Sequence, residues 1–160
     1  MTHLIYLEDM ELNEERVVGT HRFEQEAMIA FAKKYDPQPQ HVDPVAARDT
    51  YVGELVASYW YVSAIWMRLM ITSRMEAMRK DPNGPQLAGH GSPGFLDMKW
   101  LEPVRPGDVV TYRSISTEKV DLKSRQDIGI IRSRNEAWID NGKLALTFIG
   151  QGLIGRKPQS

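Results

Sequence analysis

One uninterrupted stretch, residues 54–80, constrains the fold of this chain more than any other feature. Its residues are almost all apolar between 55 and 66, and charged residues become frequent after Met67. A helix that is apolar on every face is buried inside a domain rather than lying on its surface. The pattern therefore predicts one long helix from about Glu54 to Lys80, buried in its first half and emerging in its second. The turn sequence at 81–85 ends it.

Strand patterns follow this helix, and one precedes it. The predicted strands are residues 15–23, 95–101, 109–120, 128–140 and 143–154. A helix is predicted at 24–34 and a short one from Asp43-Pro44 to Arg48, a polar connection at 121–127, and a tight hairpin at Asn141-Gly142. An N-terminal strand and a meander of four strands, wrapped around one buried helix, satisfy this pattern. We expect an α+β hotdog fold with an antiparallel sheet, in a single domain over residues 1–160 with its core at about 15–154.

Composition excludes several classes of function. The chain has 160 residues, 42% of them apolar, a net charge of -1 and no cysteine. Without cysteine there is no disulfide framework, thiol catalysis or cysteine-bound metal, which fits a cytoplasmic location. No block of basic residues indicates a nucleic-acid partner, and no long uncharged apolar run or N-terminal signal pattern indicates a membrane partner or secretion. We expect neither a metal nor a cofactor, because no metal-ligand spacing is present.

The segment from Tyr35 to Pro44 contains the strongest candidate for chemistry. It places Asp36 and His41 five residues apart, with Pro37 and Pro39 between them. The prolines predict a stiff loop rather than a regular helix, and the two side chains meet only if that loop folds back. A carboxylate and an imidazole about one water molecule apart can relay a proton. Taken alone, however, such a segment is more often a purely structural turn than a catalytic one.

Three segments together resemble the MaoC-like dehydratases, which include the (R)-specific enoyl-CoA hydratases. They are the Asp-Pro-Gln-Pro-Gln-His segment, the run from Gly53 to Ser58, and the turn from Trp100 to Asp108. The resemblance implies that Asp36 and His41 hold a water molecule that adds across the double bond of a 2-enoyl thioester. It further implies that Ser58 supports the carboxylate. Gly53, expected at the entry to the buried helix, becomes the candidate oxyanion-hole donor.

The substrate and partners follow from this resemblance. We expect an acyl-CoA or acyl-carrier-protein thioester, with Val56, Tyr59 and Trp60 as the wall of the acyl pocket. We also expect a homodimer or a dimer of dimers, because one curved sheet cannot cover the apolar helix and leaves an edge strand exposed. A hotdog thioesterase and a non-catalytic acyl-thioester-binding protein stay open as alternatives.

The chain departs from the family pattern in places. Val52 stands where many relatives have histidine, and Ile139 where asparagine is frequent. Gln40 replaces an apolar residue, which predicts a more polar surrounding for His41. His90 lies in a glycine-rich loop and is expected to be solvated.

Overall fold

The computed structural model describes residues 3–158, which form seven strands, three α-helices and two short 3-10 helices. The strands are β1 (Leu4–Ile5), β2 (Glu15–Arg22), β3 (Gln86–Leu87), β4 (Gly94–Trp100), β5 (Val109–Leu122), β6 (Arg125–Ile139) and β7 (Leu144–Gly155). The α-helices are α1 (Gln25–Tyr35), α2 (Pro39–Val42) and α3 (Tyr59–Lys80), and the 3-10 helices span Leu7–Asp9 and Ala46–Asp49. The long strands and both long helices were therefore predicted, whereas β1, β3 and α2 were not.

Five strands form one antiparallel sheet in the order β2-β5-β6-β7-β4. The predicted meander of four strands is wrong in one respect: β4 pairs with β7 at the far edge, so only β5, β6 and β7 form a meander. β4 and β2 are the two edges of this sheet. The hairpin at Asn141-Gly142 is confirmed, because Gly142 has φ 84° and donates its N–H to the carbonyl of Ile139. The predicted polar connection at 121–127 is shorter than expected, since β5 and β6 extend into it.

The helix α3 packs across one face of this sheet and forms the main core with it. Its buried side chains are Val62, Ile65 and Trp66, and the strands contribute Tyr112, Ala137, Leu146 and Phe148, among others. Hydrogen bonds also fix the helix to the sheet: among them, the Tyr112 hydroxyl donates to the carbonyl of Val62 at 2.9 Å, and Trp66 Nε1 donates to Asn135 Oδ1 at 3.2 Å. This packing confirms the predicted α+β hotdog arrangement.

The predicted start of the central helix is wrong by five residues. The helix begins at Tyr59 rather than near Glu54, and Leu55, Val56 and Ala57 are buried in a non-helical segment before it. The N–H groups of Val56 and Ala57 donate to carbonyls elsewhere in the chain rather than within a helix. Tertiary hydrogen bonds therefore override a helical pattern here.

The first half of α3 is less buried than predicted, because the side chain of Trp60 is exposed. The second half emerges as predicted, since Met67 and all residues from 71 to 80 are exposed. Ile71, Met75 and Met78 lie on one side of this second half, at spacings of four and three residues. Within residues 3–158, no helix has the length and apolar character needed to cross a membrane.

Candidate active site

The catalytic candidates lie where α1 ends and the one-turn helix α2 begins. Asp36 is the residue after α1, with φ -154° and ψ 66°, and its N–H still donates to the carbonyl of Ala32 at 2.8 Å. The chain then reverses, and Pro39 opens α2, a position that proline favours because its missing N–H is not needed there. The prediction of a purely non-helical loop is therefore wrong for 39–42. This turn brings His41 Nε2 to 3.5 Å from Asp36 Oδ2.

Residues 54–58, which we call the bridging segment, hold the imidazole in place. The Val56 N–H donates to the carbonyl of Gln40 at 3.0 Å, and the Ala57 N–H donates to the carbonyl of Val104 at 2.8 Å. His41 Nδ1 lies 2.9 Å from the carbonyl oxygen of Val56. A carbonyl only accepts, so Nδ1 must bear the proton, and in the neutral ring the lone pair is on Nε2, which faces Asp36. His41 is only 4% exposed, so this orientation is also fixed by packing.

Ser58 links the carboxylate to the start of α3. Its hydroxyl donates to Asp36 Oδ2 at 2.7 Å, and the same oxygen accepts the N–H of Trp60 at 3.2 Å as the helix N-cap. The side chain of Ser58 is fully buried. The positive end of the helix dipole therefore lies beside Asp36, where it favours negative charge.

The other carboxylate oxygen has a partner of its own. Gln38 Nε2 donates to Asp36 Oδ1 at 2.7 Å, and Gln40 Nε2 donates to Gln38 Oε1 at 3.0 Å. Burial by itself raises the pKa of Asp36, but the hydrogen bonds from Gln38 and Ser58, together with the charge of a protonated His41, outweigh it and lower that pKa. Asp36 is therefore ionised at neutral pH.

Gly53 does not occupy the place predicted for it. It lies six residues before α3 rather than at the helix entry, and its φ of 76° is one that favours glycine. Its N–H donates to the carbonyl of Thr50 at 3.1 Å, in a turn. The expected geometry of a helix N-terminal oxyanion donor is therefore absent at Gly53.

The predicted acyl wall divides into two kinds of residue. Val56 is buried in the bridging segment, whereas Tyr59 and Trp60 form an aromatic cluster with Trp100 of β4. The Tyr59 and Trp100 rings stack with centroids 5.5 Å apart, and Trp60 meets Trp100 edge to face at 4.9 Å. Trp100 is held in turn, because its Nε1 donates to Ser63 Oγ at 3.2 Å.

The turn at residues 102–108 anchors the far side of the bridging segment. Arg105 donates through Nε to Glu54 Oε1 at 2.8 Å, and its backbone N–H donates to Asp108 Oδ2 at 2.8 Å. Asp108 therefore stabilises its own turn. No group of three or more His, Asp or Glu side chains within residues 3–158 is arranged to hold a metal ion.

Sequence reasoning predicted the contact of Ser58 with the Asp36 carboxylate but missed other side chains of the site. The hydrogen bonds of Gln38 and Gln40 were not predicted, nor was the contact of Trp100 with Tyr59 and Trp60. The alternation of Asp36, Gln38 and Gln40 along one short segment was the available indication. Polar residues at every second position line one side of an extended chain.

The fold defines a hotdog protein, and comparison with known proteins specifies the family. A family model described as "MaoC like domain" matches residues 8–136, well over half of the chain. A MaoC-like dehydratase from Rhodospirillum rubrum is 31% identical over 97% of this chain and 99% of that chain, with a TM-score of 0.79. The protein therefore belongs to the MaoC-like dehydratase family.

More distant structures share the fold. A monoamine oxidase regulatory protein from Archaeoglobus is 22% identical over 99% of both chains, with a TM-score of 0.83. An (R)-hydratase from A. caviae involved in PHA biosynthesis is 21% identical over 93% of this chain and 98% of that chain, with a TM-score of 0.61. At these identities the likeness concerns the fold alone. A comparison with curated proteins finds no match.

Proposed function

We propose that this protein is a hydro-lyase that interconverts 2-enoyl and 3-hydroxyacyl thioesters. The observation that supports this most strongly is the pairing of Asp36 Oδ2 with His41 Nε2 at 3.5 Å, with Nδ1 committed to the carbonyl of Val56. Both facing atoms are acceptors when His41 is neutral. A water molecule that donates to one or both of them satisfies this arrangement and is polarised for attack.

The proposed hydration step balances with a single proton relay. The water oxygen forms a bond to C3 of the enoyl group while His41 Nε2 takes one of its protons. The π electrons of the double bond move toward the thioester carbonyl, which becomes an enolate. His41 then returns the proton to C2, and the net result is addition of H and OH; the reverse sequence is dehydration. Asp36 stabilises the His41 cation and stays ionised throughout.

The enolate oxygen requires a donor, and Gly53 remains our candidate despite its position outside the helix. Its peptide has no side chain to obstruct a thioester, and nothing lies within 4 Å of where a Cβ would be. In this proposal the Gly53 N–H exchanges the carbonyl of Thr50 for the enolate oxygen when substrate binds.

We place the acyl tail beside the start of α3, against Val56, Tyr59 and Trp60. This placement is supported by the order of contacts: Ser58 holds the catalytic carboxylate, and the aromatic cluster begins at the next residue. Trp60 is 57% exposed, so its ring is available to a ligand.

The proposal extends to partners and location. The substrate is an acyl-CoA or acyl-carrier-protein thioester, and the protein works in the cytoplasm as a homodimer or dimer of dimers. The dimer is supported by β4, an edge strand whose Phe95 and Leu96 side chains are exposed. Pairing of two β4 strands would cover both the edge and these side chains.

A spectroscopic assay with enoyl-CoA substrates of different chain lengths tests the function, with free thiol measured in parallel. Loss of the enoyl absorbance without thiol release is expected. Thiol release would identify a thioesterase instead. Saturable binding with neither change would identify a non-catalytic binding protein.

A further inference from the structure

We propose that Gln40 and Gln38 are positioning residues that act in series on Asp36, fixing one carboxylate oxygen so that the other faces Ser58 and His41. The inference rests on the proposed function and adds two residues to its machinery. Its basis is a continuous line of hydrogen bonds, from Gln40 Nε2 to Gln38 Oε1 at 3.0 Å and from Gln38 Nε2 to Asp36 Oδ1 at 2.7 Å.

The donor-to-acceptor direction of these hydrogen bonds follows from the negative charge on Asp36. An ionised carboxylate only accepts, so Gln38 must present its NH₂ group to Asp36 and therefore its oxygen to the other side. That oxygen in turn requires a donor, which is the NH₂ group of Gln40. The orientation of both amides is thus set by the charge on Asp36.

The two glutamines differ in burial and therefore in role. Gln40 is only 4% exposed, so packing restricts its side chain, whereas the side chain of Gln38 is exposed. An exposed glutamine alone loses side-chain entropy when it holds one rotamer. The buried amide of Gln40 reduces that loss by fixing Gln38 in the rotamer that reaches Asp36.

As a consequence, the two carboxylate oxygens of Asp36 have different partners. Oδ1 accepts from Gln38, and Oδ2 accepts from Ser58 and faces His41. Without the hydrogen bond from Gln38, only the hydrogen bond from Ser58 to Oδ2 would restrain rotation of the Asp36 carboxylate. The pKa of Asp36 would also rise, because burial raises it and one of the opposing hydrogen bonds would be lost.

The backbone of the segment is fixed independently of these side chains, so their replacement is compatible with folding. The carbonyl of Gln38 accepts the N–H of His41 at 2.9 Å, and the carbonyl of Gln40 accepts the N–H of Val56 at 3.0 Å. An apolar side chain of similar size at position 40 leaves no buried partner unsatisfied, since Gln38 is exposed to water.

The test compares Gln38→Leu, Gln40→Leu and the double variant, with Gln126→Leu as the control because Gln126 is an exposed glutamine outside the site. Each single substitution should lower kcat by about three- to tenfold with little change in KM, the scale of one hydrogen bond. Gln40→Leu should have no further effect in the Gln38→Leu background, because it acts only through Gln38. The control should behave as wild type.

The titration of the Asp36 carboxyl carbon, followed by NMR and assigned with Asp36→Asn, provides a readout that does not require activity. It should move to higher pH in Gln38→Leu and in Gln40→Leu, and the acid limb of kcat/KM should move with it. An unchanged titration in Gln40→Leu, or additive losses in the double variant, would overturn the proposal. A shifted titration in a protein that hydrates no enoyl thioester would overturn the proposed function and leave the positioning role standing.

Discussion

The two ends of the stretch 54–80 contrast sharply, although the sequence presents them as one helix. Residues 55–58 of the bridging segment are buried, non-helical and hydrogen-bonded to Asp36, Gln40 and Val104. The second half of α3 is regular helix, yet residues 71–80 are all exposed. An apolar pattern therefore indicates burial against something, but it specifies neither the backbone conformation nor the partner.

The difference has a functional meaning. At the end that carries the proposed catalytic pair, the side chains of Gln38 and Ser58 and the carbonyl of Val56 orient Asp36 and His41 through hydrogen bonds within the chain. The candidate site is therefore preorganised, and we expect it to be sensitive to single substitutions. At the other end, exposed Met75 and Met78 have no comparable partners among the described residues, and substitutions there should matter for assembly rather than chemistry.

The largest expected effect is at the pair itself. Asp36→Ala or His41→Ala should each lower turnover by about 10²–10⁴-fold, the usual scale for a general acid or base. The double variant should be little worse than either single variant, because the two groups act as a unit. Steady-state kinetics of enoyl hydration measures this. Near-normal turnover in His41→Ala would contradict the mechanism.

Ser58→Ala tests the connection between the pair and the helix. It removes a hydrogen bond to a charged group, so kcat/KM should fall by about tenfold or somewhat more. The loss of the N-cap should also destabilise the fold by about 1 kcal/mol, measurable by denaturant unfolding.

The pH dependence of stability in Ser58→Ala should shift in a definite direction. The Ser58 hydrogen bond lowers the pKa of Asp36, so its removal raises that pKa and moves the loss of the carboxylate charge to higher pH. The ionised Asp36 carboxylate stabilises the fold fully when the pH is above the pKa that Asp36 has in the unfolded protein. That stabilisation is lost as the pH falls through the pKa of Asp36 in the folded protein. Ser58→Ala should therefore lose that stability at a higher pH than wild type. An identical pH dependence would show that Ser58 serves only as a cap.

Trp60→Ala should alter which substrate is preferred. Removal of this exposed ring from the proposed acyl wall should change discrimination between short and long acyl chains by about 1–3 kcal/mol. The measurement is kcat/KM across a series of enoyl-CoA lengths. Val17→Ala, which removes an exposed apolar side chain on β2, is the control. Equal losses for every chain length would place the acyl tail elsewhere.

The smallest effect concerns assembly. We expect the exposed Met75 and Met78 of α3 to form a second contact between copies in the proposed assembly, beside the pairing of β4. Met75→Glu should therefore weaken self-association by about 1–2 kcal/mol and leave kcat of the intact dimer unchanged. Ser73→Glu introduces the same charge at an exposed position on another side of the helix. Light scattering across a dilution series compares the two. A wild-type species of 18.3 kDa at micromolar concentration would contradict the dimer itself.

The sequence predicted the strands well and the site only in part. β4 to β7 were located to within about three residues because alternating patterns and the Asn141-Gly142 turn depend on local chemistry alone. The order of β4 in the sheet was missed, since strand pairing depends on the whole chain. The start of α3 was missed because the bonds of the bridging segment to Gln40 and Val104 are tertiary.

The proximity of Asp36 and His41 was predicted from the Asp-Pro-Gln-Pro-Gln-His spacing, whereas the geometry of the candidate pair could not be. The imidazole tautomer depends on the carbonyl of Val56, fifteen residues away in the chain. Likewise, the hydrogen bond from Ser58 to Asp36 joins residues 22 apart. Such contacts become visible only when the fold brings the segments together.

Hydration in water enriched in ¹⁸O, followed by mass spectrometry of the products, tests the central claim most directly. The account predicts one ¹⁸O atom at C3 of the 3-hydroxyacyl thioester, with the thioester intact, and incorporation reduced by about 10²-fold or more in His41→Ala. Label found in a free carboxylic acid, or incorporated by His41→Ala at the wild-type rate, would contradict it.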